Sequence, residues 1–472
     1  MKKWDAVVVG SGPNGLSAAV ALARAGRSVK VIEGQSTLGG GARTLPLTLP
    51  GFQHDLCSAI HPMAAASPFF QELELRQLGV EFVHSPYAFV HPLRGERAAI
   101  LERGVEATAA RLGADEKAWL RVMRPLVRDF EVLKQFMFNP VTKPPLGAPL
   151  AAANFGLKAL QSAFWFAEEN FETEEAKALL AGCAAHSFSA LTNPLTNAFG
   201  LLLAVAGQAV GWPLVRGGSQ KIIDALVALL LRNGGEIERD RPIHSLGELP
   251  DAKVVLFDTH AHVVERICGE ALPGWYRALL RNFKCAPGVF KLDYALSGPM
   301  PWLAEASRHA ATLHLGGRLP EIAESEARLA RGELPERPYV LVAQQSLFDD
   351  TRAPSGQHTL WAYCHVPNGS DVDATREIEL QLERYAPGFQ KLVLAKTAKR
   401  TSHMEEMNAA YVGGDISGGA VEGLQIFMRP AVGFSYATPN PRLLICSSST
   451  PPGPAVHGMC GYWAAQTALQ RL

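Results

Sequence analysis

The chain has 472 residues, enough for about two or three domains and a sizeable core. Its 45 Lys+Arg balance 45 Asp+Glu, so no basic excess argues for a nucleic acid partner. With 47% hydrophobic and only 19% charged residues, the chain cannot be largely disordered and carries extra apolar surface for burial or lipid. Seven cysteines with no C-x-x-C pair and no zinc-type spacing fit a reduced, cytoplasmic setting. Met1-Lys2-Lys3-Trp4-Asp5 runs straight into a strand and a glycine turn, which a leader peptide would sacrifice.

Ala6-Val7-Val8-Val9 is an unbroken apolar run, as in a parallel strand covered on both faces. Gly10-Ser11-Gly12-Pro13-Asn14-Gly15 follows and fits G-x-G-x-x-G. Leu16, Ala19, Val20 and Ala23 then recur at helical spacing, and Gly26 is placed to end the helix. Ser28 to Ile32 reads as a second strand closed by Glu33, where an acid accepts a ribose hydroxyl. Glycines let the backbone reach a pyrophosphate, whose charge sits on the helix N-terminus. Strand, turn, helix, strand and acid in register make this a dinucleotide site; the bland alternative is a Rossmann unit that kept the fold and lost the ligand. A second cluster, Gly39-Gly40-Gly41-Ala42-Arg43-Thr44, is unnecessary for a nicotinamide fold and suits a flavoprotein whose backbone must pass the pyrophosphate towards the isoalloxazine. Candidate cofactor residues here are Gly10, Ser11, Gly12, Pro13, Asn14, Gly15, Glu33, Gly34, Gly40, Gly41, Ala42 and Arg43.

Further along, the stretch from Pro144 to Ala167 carries one charge, Lys158, and ends Phe164-Trp165-Phe166. Prolines at 144, 145 and 149 leave too short a helix to span a membrane. It reads as a core or dimer helix, a monotopic membrane surface or the mouth for a lipophilic substrate. Val215 to Gln220 opens a helix through Leu231, then Gly234-Gly235 leads to a strand at Glu236–Arg239 and Lys253–Phe257 forms another buried strand. Asp258-Thr259-His260-Ala261-His262 pairs two histidines, but no third metal ligand is near in sequence, so no metal is expected. In Val289–Leu296, alternation puts Lys291 and Asp293 on one face, either as a pair that orients a substrate or trims its pKa, or as a solvated strand face. Trp361, Tyr363 and His365 alternate similarly, and Trp302 and His314 lie on nearby segments; such aromatics suit a substrate pocket and a core equally. Cys446 and Cys460 read as buried structural cysteines. A strand at Arg442–Cys446, a Ser/Pro/Gly turn and a helical Gly461–Leu472 close the chain.

The two glycine clusters and this ending resemble the FAD-dependent phytoene desaturases and carotenoid isomerases of the amine oxidase superfamily, nearest the branch that includes pyridine nucleotide-disulphide oxidoreductase domain protein 2. The resemblance covers most of the chain and is strongest at residues 5–45 and 440–470. It implies an α/β fold (α+β overall) with a discontinuous Rossmann-like FAD-binding domain and an inserted substrate domain of mixed sheet plus helical cap. The boundaries expected are 1–84, 206–269 and 426–472 for the FAD domain, and 85–205 with 270–425 for the insertion. It further implies that Ile243 flanks the adenine, that Ser449 and the amides of Gly458 and Met459 face the flavin, and that His457 lies beside it. His457 is then a contact to substrate or reduced flavin, or a residue that only packs the turn. Ser447, Ser449 and Ala455 stand where family members often carry glycine. Asn408, Tyr411, Gly413-Gly414-Asp415 and Arg429-Pro430 match segments preceding the last strand.

The expected activity is FAD-dependent hydride abstraction from a C–H bond of an apolar, polyene, isoprenoid or lipid-like substrate, with a polyene isomerase or saturase, an amine oxidase and a non-catalytic escort-like prenyl binder as alternatives. The candidate catalytic residues are His457, Lys291 and Asp293, and the candidate substrate residues Trp302, His314, Trp361, Tyr363 and His365. A membrane surface and a homodimer are the partners left open, with a cytoplasmic location, peripheral on the inner membrane.

Overall fold

The computed structural model describes residues 3–140, 143 and 147–472. Trp4–Val9 forms the middle of a five-stranded, all-parallel sheet in the order 443–445, 252–257, 4–9, 29–32, 236–238. The apolar run at its centre is explained by cover on both sides. On one face lie the helices Pro13–Arg24, Gln220–Arg232 and Met459–Leu469; on the other, Ala261–Cys268 and Gly274–Arg281. Tyr276 and Leu280 of that last helix pack with Val7, Val255 and Phe257. The dinucleotide domain therefore runs past the expected boundary at 269, because this helix joins Ala261–Cys268 in covering that sheet face.

A seven-stranded sheet follows the order 393–399, 288–296, 358–366, 340–343, 312–315, 89–92, 98–101, antiparallel except between 89–92 and 312–315. Pleating divides its long strands. Phe290, Leu292, Tyr294, Leu360, Ala362 and Cys364 meet Ile378 and Leu382 of the helix Thr375–Tyr385. The odd-numbered residues of Gly288–Leu296, Lys291 and Asp293 among them, face the other way, towards the dinucleotide domain. Both faces of this strand are buried, which overturns the solvated face expected for Lys291 and Asp293.

Helices between residues 105 and 209 form the cap. Pro144 and Pro145 lie outside the described residues. The rest of the apolar stretch is two short helices, Pro149–Ala159 and Ala163–Asn170, divided where Ser162 caps the second by accepting the Trp165 N–H. Among the described residues no helix is long and apolar enough to cross a membrane.

The first and terminal helices of the dinucleotide domain approach closely at Gly461, where a Cβ would run into the carbonyl oxygen of Asn14. Gly461→Ala should therefore wedge the two helices apart and destabilise the protein by roughly 1–3 kcal/mol. A urea unfolding midpoint equal to that of the parent would show that the helices do not meet there as described.

Candidate dinucleotide and substrate site

The parallel strands end at a cavity of about 1150 Å³, above the ~300–1,000 Å³ usual for small-molecule pockets. Its polar end is built by the first βαβ unit. Gly10 to Asn14, Glu33, Gly34, Pro242 and Ile243 line it. The loop closes around Asp258, at the C-terminal end of the strand Ala252–Phe257. Asp258 Oδ2 accepts the Gly15 N–H at 2.8 Å, and a Cβ on Gly12 would stand 2.5 Å from that same oxygen. Gly15 is accordingly a packing glycine outside the cavity lining. Glu33 already accepts three hydrogen bonds, from Ser11 N–H (2.9 Å), Ser11 Oγ–H (2.6 Å) and Gln35 N–H (2.9 Å). A carboxylate has about four acceptor sites, which leaves room for one more donor.

Gly40, Gly41, Ala42 and Arg43 continue the wall, and Ser447–Ser449 and Pro454–Val456 supply the facing side. A Cβ on Gly41 would collide with the Tyr411 hydroxyl, so this glycine makes room for a side chain of the 407–411 segment as well as for any ligand. Beyond, Trp361 and Tyr363 present their rings edge to face, centroids 5.0 Å apart, beside Cys57, His61, His186 and Phe188. The far end is apolar, with Phe136, Phe155, Leu195, Phe199, Leu202 and Phe427. The outer turns of the neighbouring helices leave Leu150 (86%), Leu157 (70%) and Trp165 (58%) exposed.

A dinucleotide fits these residues. Asn14, His61, Thr259, Trp361 and Arg429 all line the cavity, and each holds a buried polar atom with no partner among the described residues. Buried polar atoms are rarely left that way, and a polar ligand would satisfy them.

Several expected site residues lie elsewhere. His457 is buried, its Nδ1 accepts the Met459 N–H at 3.0 Å, and its carbonyl accepts the Ser67 hydroxyl at 2.7 Å. Burial pulls it down to about 4, so it stays neutral and caps the turn instead of contacting substrate or flavin. Gly458 and Met459 lie outside the cavity lining, a Cβ on Gly458 would run into Ser17 and Phe70, and the Met459 amide is committed to His457. Trp302 donates to Gln344 Oε1 (3.0 Å) inside the outer core of the large sheet. His314 stands behind His186 (Nε2 to Nε2 3.3 Å), and His365 pairs with Glu326 (2.9 Å) under the Phe188 ring.

Lys291 and Asp293 lie behind Trp361, outside the lining. They belong to a closed network: Lys291 Nζ meets Asp293 Oδ1 (2.5 Å) and the Asp55 carbonyl (3.1 Å), and Lys399 Nζ takes Asp293 Oδ2 (2.9 Å). Arg352 binds Asp55 Oδ2 (2.5 Å) and approaches Asp349 (3.7 Å). Three cations and three carboxylates thus cancel in the interior. Burial still brings Lys291 down to about 8. The expected catalytic role of this pair gives way to a structural one, because the 54–58 segment covers it.

Sequence reasoning missed Asp258, although the strand before it was legible and ligands gather at the carboxyl ends of parallel strands. It also left His260 and His262 without a third partner. The fold brings Cys285 Sγ to 3.9 Å from His260 Nε2 and from His262 Nδ1. His260 Nδ1 accepts the His262 N–H (3.2 Å), so the ring proton sits on Nε2 and that nitrogen cannot also ligate a cation. The trio is a packing cluster.

Burial holds His54, His61, His91 and His457 at about 4 and His186 and His260 at about 3. Below pH 6.5 the unfolded chain takes up protons that the folded chain refuses, so stability falls as pH falls. Each such histidine forfeits roughly 1.4 kcal/mol at pH 5.5. Denaturant unfolding at pH 7 and pH 5.5 should show a marked loss of the midpoint; an unchanged midpoint would mean these rings are protonated in the native state.

Comparison with known proteins agrees with this geometry. Residues 8–73 match the NAD(P)-binding Rossmann-like domain. The chain is 25% identical to pyridine nucleotide-disulfide oxidoreductase domain-containing protein 2 of Rattus norvegicus, over 100% of this chain and 94% of that protein. It is 24% identical to phytoene desaturase (neurosporene-forming) of Rhodobacter capsulatus, over 82% and 77%. In fold it is similar to an oxidoreductase from Methanosarcina mazei (TM-score 0.67, 17% identity, 98% and 99% coverage). It is also similar to a putrescine oxidase redesigned for cofactor binding (TM-score 0.63, 16% identity, 99% and 98% coverage). By these relatives and this fold, the chain is an oxidoreductase similar to the desaturases in sequence and to the amine oxidases in fold, with an NAD(P)-binding Rossmann-like domain at residues 8–73.

Proposed function

We propose that the protein binds FAD and oxidises an apolar, isoprenoid- or lipid-like substrate. One observation carries this reading: a single cavity runs from the Gly10–Asn14 loop, past Trp361 and Tyr363, to the apolar end at Phe155 and Phe427. When bound, the flavin supplies hydride acceptance from a substrate C–H bond. The protein's part is to bind, orient and keep water out. The loop amides and the helix N-terminus hold the diphosphate, Glu33 has one acceptor site left for a ribose hydroxyl, and Pro242 and Ile243 flank the base. Trp361 and Tyr363 set the substrate's approach, and the aliphatic wall from Leu195 to Leu203 excludes water.

The apolar end supports a neutral substrate over an amine. No carboxylate lines it among the described residues, and burying an unpaired ammonium there would be costly. His61 and His186 are held neutral by burial and offer no counter-charge. The crossed Trp361 and Tyr363 rings favour amine oxidation as a second reading, because paired aromatics can flank an amine. Exposed Leu150, Leu157 and Trp165 beside the mouth support docking on a lipid surface, through which an apolar substrate would enter.

Purified protein should be yellow and release FAD on denaturation, and Gly12→Val should abolish the colour by filling the loop. A colourless protein that binds NAD tightly and ignores FAD would sink the assignment. The protein should also sediment with lipid vesicles, with little dependence on salt because its net charge is zero. Failure to sediment, together with turnover of small polar amines, would move the reading to amine oxidation.

A further inference from the structure

We infer that FAD binding is accompanied by uptake of a proton on Asp258, so that affinity for the cofactor falls as the medium becomes more alkaline. This rests on the FAD reading above.

The geometry begins with the loop. The first helix presents its N-terminus to the cavity, the place where a dinucleotide's diphosphate is held in a G-x-G-x-x-G fold. Asp258 already occupies the inner side of that loop. Its Oδ2 accepts the Gly15 N–H at 2.8 Å, and it sits so close to Gly12 that a Cβ there would be 2.5 Å away. The same side chain lines the cavity. Asn14, on the same turn, is 4% exposed and also lines the cavity, and its Oδ1 has no partner among the described residues; it is an acceptor left open to a ligand group that can donate, such as a hydroxyl next to the diphosphate. A carboxylate and a diphosphate are thereby assigned to one short stretch of backbone.

The groups around Asp258 do not offset its charge. Glu33, at the end of the second strand, acts on it as a like charge. Cys446 beyond the last strand and Cys460 on the terminal helix are thiols that burial keeps protonated. Arg429 lines the cavity, but its Nη2 donates to the carbonyls of Ser417, Gly418, Gly419 and Ser448 and its charge acts on the buried Asp415, not on Asp258. Arg266 lines the cavity without a contact to Asp258. With no cation against it among the described residues, the carboxyl is held by the amides of Gly15 and Gly12, and enclosure pushes it up to about 7. A diphosphate at the loop adds negative charge in a poorly solvated site and favours the protonated acid further. Linkage fixes the sign: if the complex binds a proton more tightly than the free protein, cofactor affinity falls as pH rises above the free protein's pKa.

The test is FAD binding by protein freed of bound cofactor, measured calorimetrically between pH 6 and 8.5 in two buffers of different ionisation enthalpy. The expected result is a Kd that is flat near pH 6 and rises about tenfold per pH unit above pH 7, with close to one proton taken up per FAD at pH 8. Asp258→Asn keeps an acceptor for the Gly15 amide and should remove both the slope and the proton. The buffer comparison on the unaltered protein stands without the variant, should the variant fold poorly. A pH-independent Kd with no proton uptake, or a slope that survives in Asp258→Asn, overturns the inference and leaves the FAD reading intact. No FAD binding at any pH would overturn both.

Discussion

The buried charge network behind Trp361 is the constraint on which the site depends. Asp55 comes from the dinucleotide domain, Lys291, Asp293 and Lys399 from two strands of the large sheet, and Arg352 from a loop beyond it. Asp55 also accepts from Thr44 Oγ (2.7 Å) on the adjacent strand and from Ser219 N–H (2.9 Å), so with Arg352 two distant stretches of chain converge on one carboxylate. Such a cluster contributes little net stability, because desolvation offsets most of the attraction. Breaking it is another matter, since each lost partner leaves a bare charge in the interior. Its effect is therefore on geometry. It locks the two sheets in one relative position and so fixes the width of the cavity between them.

That cavity owes its chemistry to a division of labour between the domains. The parallel sheet ends in a loop of amides suited to phosphates, and every side chain there is short, so that backbone can be reached. The insertion supplies bulk: aromatic rings from the strand His358–Val366 and aliphatic residues from the helix Thr196–Ala209. Neither domain could build the enclosure alone, because a Rossmann unit leaves its ligand crevice open at the strand ends. The cap closes it with a mostly apolar wall, which lowers the local dielectric and strengthens whatever electrostatics the polar end provides.

The turn before the terminal helix shows how local likeness can mislead. His457, Gly458 and Met459 occupy the right place in the chain for a flavin contact, yet the histidine closes on its own backbone. The wall is made instead by the preceding residues, Ser447–Ser449 and Pro454–Val456. Small serines and alanine there still permit a close approach, which is the property glycine would otherwise bring.

The sequence by itself determined the dinucleotide half. A strand, G-x-G-x-x-G, a helix, a second strand and an acid are bound to one another within a few turns of chain, and their chemistry depends on backbone amides that spacing alone puts in place. Alternation likewise placed Trp361 and Tyr363 on one face of a strand. Only the tertiary structure decided what covers that face. It put Lys291 and Asp293 under the 54–58 segment, more than 200 residues distant, and His365 under Phe188. It also brought Asp258 against Gly15 across 243 residues. Periodicity gives the direction of a side chain relative to its own element, whereas whether it ends in a cavity, a core or an ion pair depends on which distant segment packs there, and no local pattern carries that information.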